Sequence, residues 1–309
     1  MTARRQRGRP INGLLLLDKP IGVTSNGALQ EVKRLFNARK AGHTGSLDPL
    51  ATGMLPICFG DATKFTQFLL DADKTYETTA KLGVITDSGD ADGNVIERRD
   101  IGEITLDQLH TVLEKFRGDQ LQVPSMFSAI KQQGKPLYEL ARQGIEVPRE
   151  PRPITIHNLE LLNFEGDEFS LAVQCSKGTY IRSLVEDIGL ALGCGAHVIA
   201  LRRTAVSYFT AEKMLHIEVL RKLAENNDWD QLNSLLQPVD AILQFMPALQ
   251  LSEQAAFYLQ RGQAVDAPDA IGIGEVRLYD HHHAFIGVGT VEAGGRVLPR
   301  RLIDTGSSL

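Results

Sequence analysis

The sequence predicts an α+β fold: a mixed, mainly antiparallel sheet flanked by helices, followed by a small β-rich domain at the C-terminus. Three observations predict it. Residues 154–164 and 168–175 read as two strands across a Glu165-Gly166-Asp167 turn, an antiparallel hairpin. Segments near 25–36 and 105–116 carry apolar residues at helical spacing. Composition shifts at Phe245-Met246-Pro247, after which short Gly- and Val-rich stretches surround one amphipathic helix. A chain of 309 residues exceeds one ordinary core, so division into residues 1–245 and 246–309 is expected.

In order, Ile11–Leu17 reads as a buried strand running into Asp18-Lys19-Pro20-Ile21-Gly22. Thr24 or Ser25 then caps a helix with Ala28, Leu29, Val32, Leu35 and Phe36 on one face. Gly42–Gly53 holds three glycines and a proline, which predicts a shaped loop rather than regular structure. Met54–Phe59 is a strand, and a helix follows with Phe65, Phe68 and Leu69 inward. Thr75–Leu82 alternates, placing Tyr76, Thr78, Ala80 and Leu82 on one face. Asp87–Gly93 resembles a calcium loop, but the twelfth position counted from Ser88 is Arg99, not a bidentate acid, so a solvated turn is expected. Thr105 and Gln108 form a capping box for a helix with Leu106, Leu109, Leu113 and Phe116 inward, ended by Gly118. Residues 119–153, rich in Pro and basic residues, read as an excursion from the sheet. After the hairpin come a helix over 183–192, a strand over 196–206, helical segments to about 241, and a helix from Ser252 to Arg261. His281, His282 and His283 cannot share one strand face and read as a solvated turn.

Net charge is −5, yet residues 1–40 carry a net +7 and residues 71–119 a net −6. A basic face on an acidic whole remains compatible with a polyanionic partner, which responds to the local field. Cys58, Cys175 and Cys194 are odd in number and widely spaced, fitting neither a disulfide framework nor a zinc site. No apolar run approaches a membrane span and no signal core follows the N-terminal arginines, so a cytoplasmic protein is expected.

No phosphate-binding glycine fingerprint, zinc spacing or serine elbow is present. What remains is a carboxylate, Asp48, on a shaped loop between Leu47 and Leu50, with Pro49 fixing the next backbone angle. Asp before Pro is also an ordinary turn initiator. With a tyrosine at a strand start and an arginine after a Gly-Thr-Tyr corner, the set suits nucleophilic or acid/base work on a polyanion. A guanidinium nearby would lower the Asp48 pKa and keep it ionised at neutral pH.

The ordered set Gly13–Pro20, Gly42–Gly53, Lys74-Thr75-Tyr76, Cys175–Arg182 and Leu201-Arg202-Arg203 resembles the bacterial tRNA pseudouridine-55 synthase family, TruB, over essentially the whole chain. The resemblance implies isomerisation of uridine 55 in the TΨC loop of tRNA to pseudouridine on a flipped-out base, without metal or organic cofactor. It implies Asp48 as catalytic nucleophile, Arg182 as its partner, and Tyr76 stacked on the target base. His43, Tyr180 and Leu201 match positions that contact or pack around the RNA. The C-terminal module resembles a PUA domain, a small RNA-binding β-barrel touching the acceptor stem. A monomer acting on the TΨC stem-loop is the corresponding expectation.

Overall fold

The computed structural model describes residues 8–267 and 272–304. Arg4, Arg5 and Arg7 of the basic start lie outside the described residues.

The first 122 residues supply β1 (Gly13–Lys19), α1 (Ser25–Leu35), β2 (Ala41–His43), β3 (Thr52–Phe59), α2 (Thr66–Asp71), β4 (Lys74–Leu82), β5 (Val84–Thr86), β6 (Val95–Arg98), α3 (Leu106–Glu114) and β7 (Gly118–Gln122). Next come β8 (Lys131–Gln132), β9 (Lys135–Pro136), α4 (Leu137–Ala141), β10 (Arg152–Glu165), β11 (Glu168–Cys175), α5 (Ile181–Ala191) and β12 (Ala196–Val206). They are followed by β13 (Leu215–His216), α6 (Ile217–Glu225), α7 (Trp229–Ser234), β14 (Ala248–Gln250), α8 (Glu253–Gln260), β15 (Val265–Asp266), β16 (Gly274–Tyr279), β17 (Phe285–Val291) and β18 (Arg296–Leu302).

A nine-stranded sheet runs in the order β13-β1-β3-β12-β4-β11-β10-β7, with β2 beside β3. It is mainly antiparallel, but β1 pairs with β13 and β3 with β12 in parallel. Five strands in the order β14-β16-β17-β18-β15 form the second sheet, with α8 against its own core of Leu249, Leu259, Leu278 and Val297. The α+β class with a small C-terminal β module is therefore the one observed. Around the central strands, period-2 burial along β4 sets Lys74, Tyr76, Thr78, Ala80 and Leu82 inward. One core packs this sheet on α3 and α5, through Leu109, Leu113, Leu184 and Ile188.

Several expectations are corrected. The Gly42–Gly53 stretch is irregular only at its centre: its ends belong to β2 and β3, because Gly42 and Gly53 pair with Cys58 and Lys19. A 3-10 turn over Gly60–Phe65 precedes α2, so the expected single helix is split. Thr105 and Gln108 do form a capping box, yet Leu106 points outward and is 50% exposed. That helix ends at Glu114, and Gly118 opens β7 instead of stopping it. β7 pairs with the start of β10, so residues 119–122 and 152–153 belong to the main sheet and the excursion spans 123–151. The Asp87–Gly93 segment is a turn solvated only at its ends, with Asp87, Ala91 and Asp92 exposed. Ser88, Gly89 and Asp90 are buried, tied to β12 by Val198 N–H donating to Gly89 O and Ala91 N–H donating to Val198 O. The expected thiols are buried and free, and residues 281–283 form an exposed turn.

Candidate active site

The loop over residues 44–51 is held from four directions. Ser25, the first residue of α1, accepts the Leu47 N–H (2.7 Å) and donates its hydroxyl to Leu47 O (3.0 Å). Lys19, wholly buried at the end of β1, donates to Pro20 O (2.9 Å), Val23 O (2.7 Å) and Pro49 O (3.4 Å). Gly22 N–H donates to the same Pro49 carbonyl (2.8 Å). Arg203, buried in β12, donates to Gly45 O (3.0 Å) and Met54 O (2.7 Å), clamping both roots. Gly53 sits at φ +95°, and a Cβ there would lie 2.3 Å from Arg203 O, so only glycine permits this approach. Inside the loop, Ala51 N–H donates to Asp48 O (3.1 Å), the turn that the Asp-Pro pair foreshadowed.

Asp48 projects from this frame toward Arg182, on the first turn of α5. Arg182 Nε meets Asp48 Oδ2 at 3.0 Å, and Nη1 lies 3.6 Å from Asp90 Oδ2. Its remaining donors go to Ser88 O (2.6 Å) and Phe127 O (2.9 Å). One guanidinium thus joins the loop, the Ser88–Asp90 turn and the root of the excursion. The Arg182 side chain is 4% exposed and that of Asp90 6%, whereas Asp48 keeps 39% of its side-chain surface open. The reachable member of the trio is Asp48.

Family models match residues 33–181 (TruB family pseudouridylate synthase, N-terminal domain), 182–244 (tRNA pseudouridylate synthase B C-terminal domain) and 247–303 (pseudouridine synthase II TruB, C-terminal). The tRNA pseudouridine synthase B of Tolumonas auensis is 54% identical over 99% of this chain and 96% of its own. The chain belongs to the TruB family of pseudouridylate synthases. The synthase B of Stutzerimonas stutzeri is 57% identical over 96% of both chains. Among solved structures, a Cbf5-Nop10-Gar1 complex aligns with a TM-score of 0.72 and 26% identity over 94% of this chain and 84% of that one. An H/ACA RNP bound to a substrate RNA containing 2'-deoxyuridine aligns with a TM-score of 0.73 over 99% of this chain and 92% of that one, at 24% identity, a likeness of fold.

The other residues singled out in this TruB chain gather around Asp48 to different degrees. Tyr76, 9% exposed, stands in β4 opposite Arg203 and shares one apolar cluster with Leu47, Leu50, Ile181 and Leu201. Burial raises its phenol, and both Arg203 and Asp48 are close enough to act on it. Tyr180 immediately precedes α5, its backbone bracketed by the Gln122 amide at 2.8 and 3.1 Å. Its phenol is raised by burial, with Arg182 and Asp48 nearby. His43 ends β2. Burial lowers its pKa, Arg203 adds to that, and its Nδ1 is buried without a partner among the described residues. Of the charged site residues, Arg203 is the one that acts on it.

The expected electrostatics of Asp48 are reversed. Desolvation pushes its carboxyl up, Arg182 and Lys19 pull it down, and Asp90 and Asp92 push it up, for a net rise. The buried acid Asp90 was not anticipated, since nothing local in Ser88-Gly89-Asp90 announces an arginine far along the chain. Lys19 and Arg203 lay inside the quoted motifs, but their work is on backbone carbonyls. Behind them, Asp18 accepts both Arg202 Nη groups (2.9 and 2.8 Å), tying β1 to β12 across the strand that follows the loop.

Proposed function

We propose that the protein isomerises uridine 55 in the TΨC loop of tRNA to pseudouridine, with Asp48 as nucleophile. The observation that carries the reading is the partly open Asp48 carboxylate 3.0 Å from a buried arginine, in an apolar surround. The relatives named tRNA pseudouridine synthase B support tRNA as substrate.

The reaction breaks the N1–C1′ bond and joins C1′ to C5, so a detached base must be held, turned and rejoined before water intervenes. Leu47, Leu50 and Leu201 line an environment that excludes water. Tyr76, in the same cluster, would stack on the detached base, and a base stacked on an aromatic ring gains about 1–3 kcal/mol. That offsets much of the few kcal/mol needed to take a uridine out of its stack. Arg182 keeps the carboxylate charged and aimed against the desolvation that raises its pKa. Residues 1–245 act as the synthase domain, and 246–309 as a PUA-like module on the acceptor stem. The protein works as a cytoplasmic monomer without metal or organic cofactor. Among the described residues no helix is long and apolar enough to cross a membrane.

The test is incubation with an unmodified tRNA transcript, mapping of pseudouridine by chemical derivatisation, and product mass. The wild type should modify position 55 with RNA mass unchanged, whereas a hydrolase would lose uracil. Asp48→Asn should abolish modification while tRNA binding persists. Turnover near the wild-type rate in that variant would remove Asp48 from the mechanism.

A further inference from the structure

Behind the Asp48–Arg182 pair lies an acid that the reaction does not use. Glu186 stands one helical turn after Arg182 on α5, on the same side of the helix. It lines a cleft of about 600 Å³ between α5 and the excursion, bordered by Ile96, Val123, Met126, Ile145 and Leu190. The carboxyl is packed on the backbone of Gly89. A methyl group built on that glycine would meet Glu186 Cδ and Oε1 at 2.8 Å and Oε2 at 3.0 Å. Gly89 also has φ +75°, so the turn combines a left-handed backbone with a surface bare enough to receive the acid.

The residues on either side of Gly89 are the ones that receive Arg182: Ser88 through its carbonyl at 2.6 Å and Asp90 through its carboxylate at 3.6 Å. The turn is also anchored to β12, where Val198 N–H donates to Gly89 O at 3.0 Å. Glu186 and β12 therefore both bear on Gly89, the first by packing and the second by a hydrogen bond. Burial pushes the Glu186 carboxyl up to about 7. The charged groups facing it are Arg182 and Asp187 on α5, Arg149 from the excursion, and Asp90 from the turn itself. Asp87 and Glu146 border the same cleft.

We propose that Glu186 is a positioning residue for the Asp48–Arg182 pair, bracing the Ser88–Asp90 turn that receives the guanidinium. It touches no reacting atom. Its effect reaches Asp48 through the turn and then through Arg182, so it governs how well the carboxylate is aimed and leaves RNA affinity to other surfaces. The proposal rests on the assignment of Asp48 and Arg182 as the reacting pair.

The experiment measures kcat, KM for tRNA and Tm for full-length wild type, Asp48→Asn, Glu186→Ala, Glu186→Gln and Glu186→Asp. Glu186→Ala should lower kcat about tenfold with KM within about twofold, the signature of misplaced reacting groups. Glu186→Gln, of equal length, should recover most of that loss. Glu186→Asp, which keeps the charge but withdraws the carboxyl from Gly89, should not, and it carries the test if the alanine variant fails to fold. Unchanged kcat in Glu186→Ala or Glu186→Asp overturns the brace, as does a Glu186→Gln variant no better than alanine. A wild type without turnover, or an active Asp48→Asn, would instead overturn the underlying assignment.

Discussion

Replacing Arg182 by lysine keeps a positive charge and removes the geometry. The guanidinium reaches Asp48 at 3.0 Å, Ser88 O at 2.6 Å and Phe127 O at 2.9 Å from three separate nitrogens, while Nη1 also faces Asp90 at 3.6 Å. An ammonium is a single point of shorter reach than the guanidinium fork and cannot span those directions. If it stays with Asp48, both carbonyls lose a charged donor, a bond class worth about 1.5–3 kcal/mol each. Partial recovery by water leaves an expected destabilisation of about 2–3 kcal/mol. The larger effect falls on rate. Asp48 would retain a charge partner but lose its fixed direction, and a displacement of about 1 Å at a reacting group costs on the order of 10²-fold. Single-turnover kinetics on tRNA carrying tritium at C5 of uridine would measure this, because the label is released once the C5–H bond is lost. Urea titration and tRNA retention on filters would report stability and binding. A lysine variant within about threefold of the wild-type rate would refute the reasoning, since charge alone would then suffice.

Two further outcomes are expected. Gly53→Ala should destabilise by about 3 kcal/mol or more and remove most turnover, because its Cβ would enter the Arg203 carbonyl at 2.3 Å in a backbone region unfavourable to alanine; urea unfolding at wild-type stability would contradict it. For Glu186→Gln the sign follows from the raised carboxyl, which holds its proton to pH about 7 in the fold against an ordinary value of 4.5. The stability this adds is complete below the unfolded value and is lost as pH rises through about 7. Calorimetry should therefore find that Tm falls less between pH 5 and 8 in the variant than in the wild type, and parallel curves would count against it.

Much of the fold could be read locally because its signals are local. The β4 alternation, the Glu165-Gly166-Asp167 hairpin and the capping box of α3 each lie within a few residues of what they determine. The loop was also recognisable, since Pro49 and its glycines exclude regular structure at its centre. What escaped was set by distant partners. Asp87–Gly93 has the composition of a solvated turn, and its centre is buried by partners distant in the chain, among them Arg182, Glu186 and Val198. Lys19 falls by sequence in the turn-like Asp18–Gly22 stretch, yet it closes β1 wholly buried, donating to three carbonyls. The Asp48 pKa departs from expectation for the same reason: a motif carries the guanidinium, but desolvation depends on how many chain segments converge.

The carbonyl of Phe127 bound to Arg182 divides the excursion into two regimes of tolerance. Its root, up to that residue, is wired to the reacting pair, so a residue gained or lost there would shift the guanidinium. The far end is different. The β8–β9 hairpin turns through Gln133 and Gly134 on an exposed tip that belongs to its own two-stranded sheet. A reporter group or affinity tag grafted at that tip is therefore expected to leave the Asp48–Arg182 contact in place.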